Sequence, residues 1–224
     1  MPYPPTVDTA RLTLRRLRQA DEDAFLSVWA DPDVWRAIRP GTPFDPAHGP
    51  RRFRHHLQHW EKHGFGLWLI NHPATRDTAG WVGPSHPDYV PHLTDEIEIA
   101  WSLRRPFWGQ GIATEGAQAA VSAALEHLRP SRLLSLIDQE NVRSVAVAKR
   151  LGMRDLGSVE HGELALQLRL YALEAPPNST SLTDRVSFVR PHGRRAPPVT
   201  SFSICRSYVK PRPIAAALRK RSFF

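Results

Sequence analysis

The sequence predicts a mixed α/β fold, and three observations predict it. Short segments alternate apolar and polar residues at a period of two, longer segments repeat apolar residues every three or four, and the two kinds are interleaved along the chain. Taken in order they read strand, two helices, three strands, helix, strand, helix, strand. That order predicts one domain over residues 11–175, preceded by an extension, residues 1–10, and followed by a separate segment, residues 176–224.

The first strand is residues 11–18, where Leu12 and Leu14 stand two apart among polar neighbours. Asp21, Glu22 and Asp23 then place acidic groups on the first turn of a helix, facing the positive end of its dipole, with Phe25, Val28 and Trp29 at helical spacing. Asp31 and Pro32 end it. A second helix runs from about Pro46 to His63 on the stripe Phe53, Leu57, Trp60, and Gly64 stops it. Two short strands, 65–70 and 79–82, flank the turn residues Asn71, His72 and Pro73, and a loop rich in Pro and His covers 84–93. Residues 96–103 alternate again as a strand. After the glycines at 109 and 111, Ala113, Ala117, Ala120, Ala124 and Leu128 give a helix with a small face. Residues 132–138 form a strand and 142–151 a short helix capped by Gly152, while Leu164, Leu166, Leu168 and Leu170 mark the closing strand.

Composition narrows the class. No run approaches the ~20 apolar residues of a membrane span, and the start at Met1, Pro2 and Tyr3 has neither a basic nor an apolar leader pattern, so a cytoplasmic location and no membrane partner are expected. One cysteine, Cys205, excludes an internal disulfide and a multi-thiolate zinc site. The net charge of +8 is unevenly placed: residues 1–175 hold 20 Lys and Arg against 21 Asp and Glu, whereas 176–224 hold 10 against 1. A near-neutral body argues against nucleic acid as the main partner. The basic tail, rich in Pro, Ser and Arg, is expected to be disordered, with a helical turn or two at 214–220 on a partner; as an alternative it anchors the chain to RNA or the ribosome. A monomer or homodimer is expected.

The chemistry starts where the strand 96–103 meets the helix after Gly111. A helix N-terminus presents unpaired N–H groups and partial positive charge, and glycines let backbone approach an anion, so this junction is a candidate phosphate cradle. Two glycines before a helix also serve a plain tight turn.

Glu98, Ile99, Ala100, Trp101, Ser102 and Leu103, then Phe107 through Glu115, then Asn141, Val142, Arg143, Ser144 and Arg150, Leu151, Gly152, Met153 resemble the GNAT superfamily of acyl-CoA N-acyltransferases, in particular its branch of ribosomal-protein N-terminal acetyltransferases. The likeness runs from Arg11 to Leu173. It implies a mostly antiparallel twisted sheet flanked by helices and splayed between its fourth and fifth strands to admit CoA. The family cradle, Gln/Arg-x-x-Gly-x-Gly/Ala, falls on Trp108, Gly109, Gln110, Gly111, Ile112 and Ala113, with Trp108 in place of the usual Gln or Arg. The resemblance assigns the pyrophosphate to this segment and the Thr114 hydroxyl, and the pantetheine arm to Asn141. Acetyl-CoA is thus the expected co-substrate, with no metal.

An amine attacking a thioester must be neutral, and the leaving thiolate must be stabilised. The likeness makes Glu98 the base; Glu96 and Glu98 also fit the polar face of a half-exposed strand. A tyrosine that the superfamily often uses as acid is replaced here by Ala148, leaving Ser144 as the substitute, although a serine there is also an ordinary helix cap. An α-amine with pKa ~8 is neutral far more often at pH 7 than lysine at ~10.4, a gap of ~3 kcal/mol, which favours a protein N-terminus or a small-molecule primary amine as acceptor. The missing tyrosine keeps open a non-catalytic acyl-CoA sensor or scaffold. His55, His59 and His63 recur at i, i+4, i+8 but are expected on the solvated side of their helix, without a carboxylate to complete a metal set. Trp60, Trp68, Trp81 and Trp101 are expected in the core, the last near the acyl group. Arg104 and Arg105 are candidates for the adenosine phosphates.

Overall fold

The computed structural model describes residues 2–72, 77–162 and 166–176. Cys205, the expected turns at 214–220, the basic tail from residue 177 onward and Leu164 lie outside the described residues.

Eight strands form one sheet in the order β1-β2-β3-β4-β5-β6-β8-β7: β1 Thr6–Asp8, β2 Thr13–Arg16, β3 Trp68–Asn71, β4 Thr78–Ser85, β5 Glu98–Leu103, β6 Arg132–Asp138, β7 Arg154–Glu160 and β8 Gln167–Glu174. Every neighbouring pair is antiparallel except β5 and β6, which are parallel. The helices are α1 Glu22–Trp29, α2 Pro32–Ile38, α3 His48–His63, α4 Ile112–Ala123 and α5 Val142–Arg150. None of the described helices is long and apolar enough to cross a membrane.

Three elements differ from the sequence expectation. Thr6–Asp8, within the expected extension, pairs with Thr13–Arg15; three residues are too few to show a period. Asp31 and Pro32 do end α1, but they also begin α2: the Asp31 carboxylate accepts the Asp33 N–H at 2.9 Å, and proline suits the first helical turn. β7 is exposed along most of its length, so it carries no apolar alternation to read. The extra strands shift the count, and the strands expected as fourth and fifth are β5 and β6.

Both faces of the sheet are covered, which is why Leu67, Trp68, Leu69 and Ile70 are all buried in succession. Trp68 and Ile70 face the layer of α4, with Val82, Ile99, Ala117 and Ala120; Leu67 and Leu69 face that of α1–α3, with Phe25, Trp29, Phe53 and Trp81. The small face of α4 has the expected use. At Gly116 a Cβ would stand 3.3 Å from Val82 Cγ1, so the helix lies close on the sheet. Trp60, Trp68 and Trp81 are core residues, whereas Trp101 is only partly buried.

On α3 the burial departs from the simple stripe. His59 is 5% exposed rather than solvated, because the segment after Gly64 folds back and lays Phe65 over it; His56 is buried too, and His63 is exposed.

Candidate active site

The sheet opens between β5 and β6. Their ladder has one residue pair, Glu98 with Leu134, where the Leu134 N–H donates to the Ile97 carbonyl at 2.8 Å. Past that point side chains take over from backbone. Ser135 Oγ donates to the Ile99 carbonyl at 2.6 Å, and the Leu136 N–H is near enough to the Glu98 carboxylate to favour its anion. A backbone group deprived of its ladder partner must find another, and for the Ile99 carbonyl the Ser135 hydroxyl is that partner.

Glu98 is 5% exposed. Burial raises its pKa to about 7, against the opposing effects of a hydrogen bond from Tyr89, the charge of Arg52 and the Leu136 N–H. The Tyr89 hydroxyl lies 2.8 Å from both carboxylate oxygens. Desolvation, and next the carboxylate itself, push that phenol well above its ordinary range, so it stays a donor. The Tyr89 ring stacks on His161 with centroids 4.9 Å apart. Sequence reasoning missed Tyr89 because the loop around it has no period and only the fold brings it to Glu98. Glu96 is turned elsewhere, its carboxylate held by Arg132, whose Nε donates at 3.0 Å.

The cradle residues gather at the start of α4. Gly109 and Gly111 have φ of 74° and 77°, the left-handed region, and Gly111 is the N-cap of α4 with no side chain capping the first turn. The N–H groups of Ile112, Ala113 and Thr114 therefore stand at the positive end of a twelve-residue helix without a capping side chain. They line a cavity of about 760 Å³ with Trp108, Gly109, Gly111, Asn141, Ser144, Trp101 and three arginines, Arg11, Arg143 and Arg150. Gln110 turns its side chain back to the Pro106 carbonyl at 2.7 Å. The Arg143 guanidinium lies 4.7 Å from the Trp108 ring centroid, and the Trp108 indole N–H donates to the Leu103 carbonyl at 2.8 Å.

Arg104 and Arg105 do not line this cavity. Arg104 donates to the Thr78 carbonyl at 3.2 Å, and Arg105 pairs with Asp33 at 2.6 Å. Arg11 stands nearer the cradle, donating to the Gln110 carbonyl at 2.9 Å and to Glu115 at 2.6 Å. Burial works to raise the Glu115 pKa, but hydrogen bonds from Thr9 and Arg11 outweigh it and hold the carboxyl below its ordinary value.

A second cavity, about 700 Å³, is lined by Glu98, Tyr89, Trp29, Trp35, Trp81, Arg52 and their neighbours. The two cavities share Ala37, Ile38, Trp101, Asn141 and Ser144, and β5 passes from one to the other: Glu98 to Trp101 line the second, Trp101 to Leu103 the first. Asn141 is the N-cap of α5, accepting the Ser144 N–H at 3.1 Å while its amide donates to the Ala37 carbonyl at 3.0 Å. It thereby ties α2 to α5 at the shared wall. Ser144 is partly buried on that wall, one turn into α5. Ala148, where the superfamily tyrosine would stand, is fully buried in the core.

Comparison with known proteins agrees with this geometry. The "Acetyltransferase (GNAT) domain" family matches residues 11–154. An uncharacterised N-acetyltransferase, p20, from Bacillus licheniformis is 24% identical over 164 residues, covering 71% of this chain and 88% of that protein. The crystal structure of an acetyltransferase from Agrobacterium tumefaciens str. C58 superposes with a TM-score of 0.65 at 31% identity, covering 76% of this chain and 95% of that one. A ribosomal L7/L12 alpha-N-protein acetyltransferase, solved in complex with coenzyme A, shares the fold at a TM-score of 0.58 and 17% identity, over 78% and 98% of the two chains. With a split sheet, an uncapped helix start at the cradle and a family match over most of the domain, the chain belongs to the GNAT acetyltransferases.

Proposed function

We propose that this protein moves an acetyl group from acetyl-CoA to a primary amine, a protein N-terminus or a small molecule, by direct attack in a ternary complex. One observation carries the reading: a buried carboxylate, Glu98, held by the Tyr89 hydroxyl, stands on the strand that connects an arginine-lined cradle cavity to a second cavity.

The cradle takes the anionic end of the co-substrate. The first-turn N–H groups of α4, the Thr114 hydroxyl and Arg11, Arg143 and Arg150 meet the phosphates, and Gly111 lets backbone come close. The amine lies in the second cavity with Glu98, which takes its proton directly or through a water. Whatever the base, taking a proton from an α-ammonium of pKa ~8 costs roughly 3 kcal/mol less than taking one from a lysine ammonium of ~10.4. That difference supports an α-amine or another weakly basic amine as acceptor. Ser144, which lines both cavities, donates to the departing sulfur in this reading; a CoA thiol of pKa near ~8.5 also leaves as the anion. Asn141 holds the wall in place through Ala37 and Ser144 and faces both cavities.

The test is acetyl transfer from acetyl-CoA to a panel of free-N-terminal peptides, polyamines and aminoglycosides, read by mass spectrometry. Transfer that falls about 100-fold or more in Glu98→Gln, with acetyl-CoA binding retained, is the expected result. No calorimetric binding of acetyl-CoA at millimolar ligand would end the reading. Binding without transfer to any amine would instead favour an acyl-CoA sensor, the reading that Ala148 suggests.

A further inference from the structure

Away from both cavities, the last turn of α3 and the end of β4 bring three imidazoles together. His59 and His63 are one helical turn apart, and His86 directly follows Ser85, the last residue of β4. One ring nitrogen from each lies within 4.8 Å of the other two, with ring centroids 4.5, 4.7 and 5.5 Å apart.

Two of the three rings are already oriented. His59 Nδ1 lies 2.9 Å from the Phe65 carbonyl, and His86 Nδ1 lies 2.9 Å from the Glu96 carbonyl. A carbonyl only accepts, so each Nδ1 carries the proton and each Nε2 keeps its lone pair. This is how proteins hold metal-binding histidines, with the non-ligating N–H pinned to a backbone oxygen. His59 Nε2 accepts the backbone N–H of His86 at 3.1 Å, a single neutral hydrogen bond that a metal would displace. His63 is exposed, and its ring already lies against the other two, with centroids 4.5 and 4.7 Å away.

We propose that His59, His63 and His86 form a three-histidine site for a divalent transition metal, zinc or its like, with a fourth position left to water. Imidazole nitrogens suit zinc, copper and nickel. Zinc bonds of ~2.0–2.1 Å in tetrahedral geometry bring ligand nitrogens to roughly 3.4 Å from one another, so binding draws the rings inward from their present spread. The metal would join the end of α3 to the root of the segment that carries Tyr89. The site does not depend on the acetyl-transfer reading.

The competing account is that His59 merely bridges α3 and β4 by hydrogen bonds, with no metal. To separate the two, untagged full-length protein is stripped with chelator and titrated with zinc by calorimetry and with cobalt by visible absorption. A single equivalent is expected, with the intense visible bands of tetrahedral cobalt. His63→Ala should lower affinity by about tenfold or more, whereas His55→Ala should leave it unchanged. His63 is exposed, so its removal keeps the fold, and an unaltered circular dichroism spectrum checks this. Absence of binding at millimolar metal, or equal affinity in wild type and His63→Ala, would overturn the site.

Discussion

As the base we propose, Glu98 is a carboxylate kept from water that must ionise to act. Burial favours the neutral acid, while Tyr89, Arg52 and the Leu136 N–H favour the anion, and the balance falls near 7. The rate should therefore rise with pH through neutrality, since a base works only when deprotonated. In Tyr89→Phe a bond to the anion is lost, so the Glu98 pKa moves further up and the rising limb of kcat/KM shifts to higher pH. A shift of about one pH unit, with about fivefold less activity at pH 7, is the expected size. If the limb stays where it was, Tyr89 does not hold Glu98 in its working state. Glu98 was legible in the sequence as the strand glutamate of a family pattern; Tyr89 was not, because a residue nine positions upstream in a loop has no local sign of its partner. His59 misled for a related reason. Helical spacing alone set it opposite the apolar stripe, and the segment that buries it comes later in the chain.

Among the elements, those with strong periods read well. β6 matches its expected bounds, α3 stops at Gly64 with φ of 73°, and the alanine face of α4 lies on the sheet. Elements without a period, β1, α2 and β7, were invisible. The start of α4 yields a contrast between two glycines with nearly the same φ. Alanine at either position meets a left-handed backbone at a cost of about 1–2 kcal/mol. At Gly109 a Cβ has nothing within 4 Å, whereas at Gly111 it would stand 3.3 Å from the Arg11 guanidinium. Gly111→Ala should thus raise KM for acetyl-CoA clearly more than Gly109→Ala does, with kcat nearly unchanged in both. Steady-state kinetics at saturating amine decides it.

For the whole molecule, the family match begins at residue 11, but the packed domain begins earlier. Tyr3 is 5% exposed and stacks on Trp68 with centroids 4.9 Å apart, and the Trp68 indole N–H donates to the Pro4 carbonyl at 3.1 Å. Thr9 donates to Glu115 at 2.6 Å beside the cradle. Deleting residues 1–10 should cost roughly 3–5 kcal/mol in stability, the scale of removing a buried aromatic. It should also weaken acetyl-CoA binding, because Glu115, which lines the cradle cavity, loses the Thr9 hydrogen bond that helps fix it. Denaturant midpoints and calorimetry of the truncated protein check both; unchanged stability would place residues 1–10 outside the domain. The split between β5 and β6 bears on how the molecule meets its ligands. Ser135 closes the nearest backbone gap with its own side chain, so the Ile99 carbonyl does not await a guest to satisfy it. In the proposed reaction, co-substrate entering between β5 and β6 meets strands already ordered, and its association is spared the entropy of ordering them.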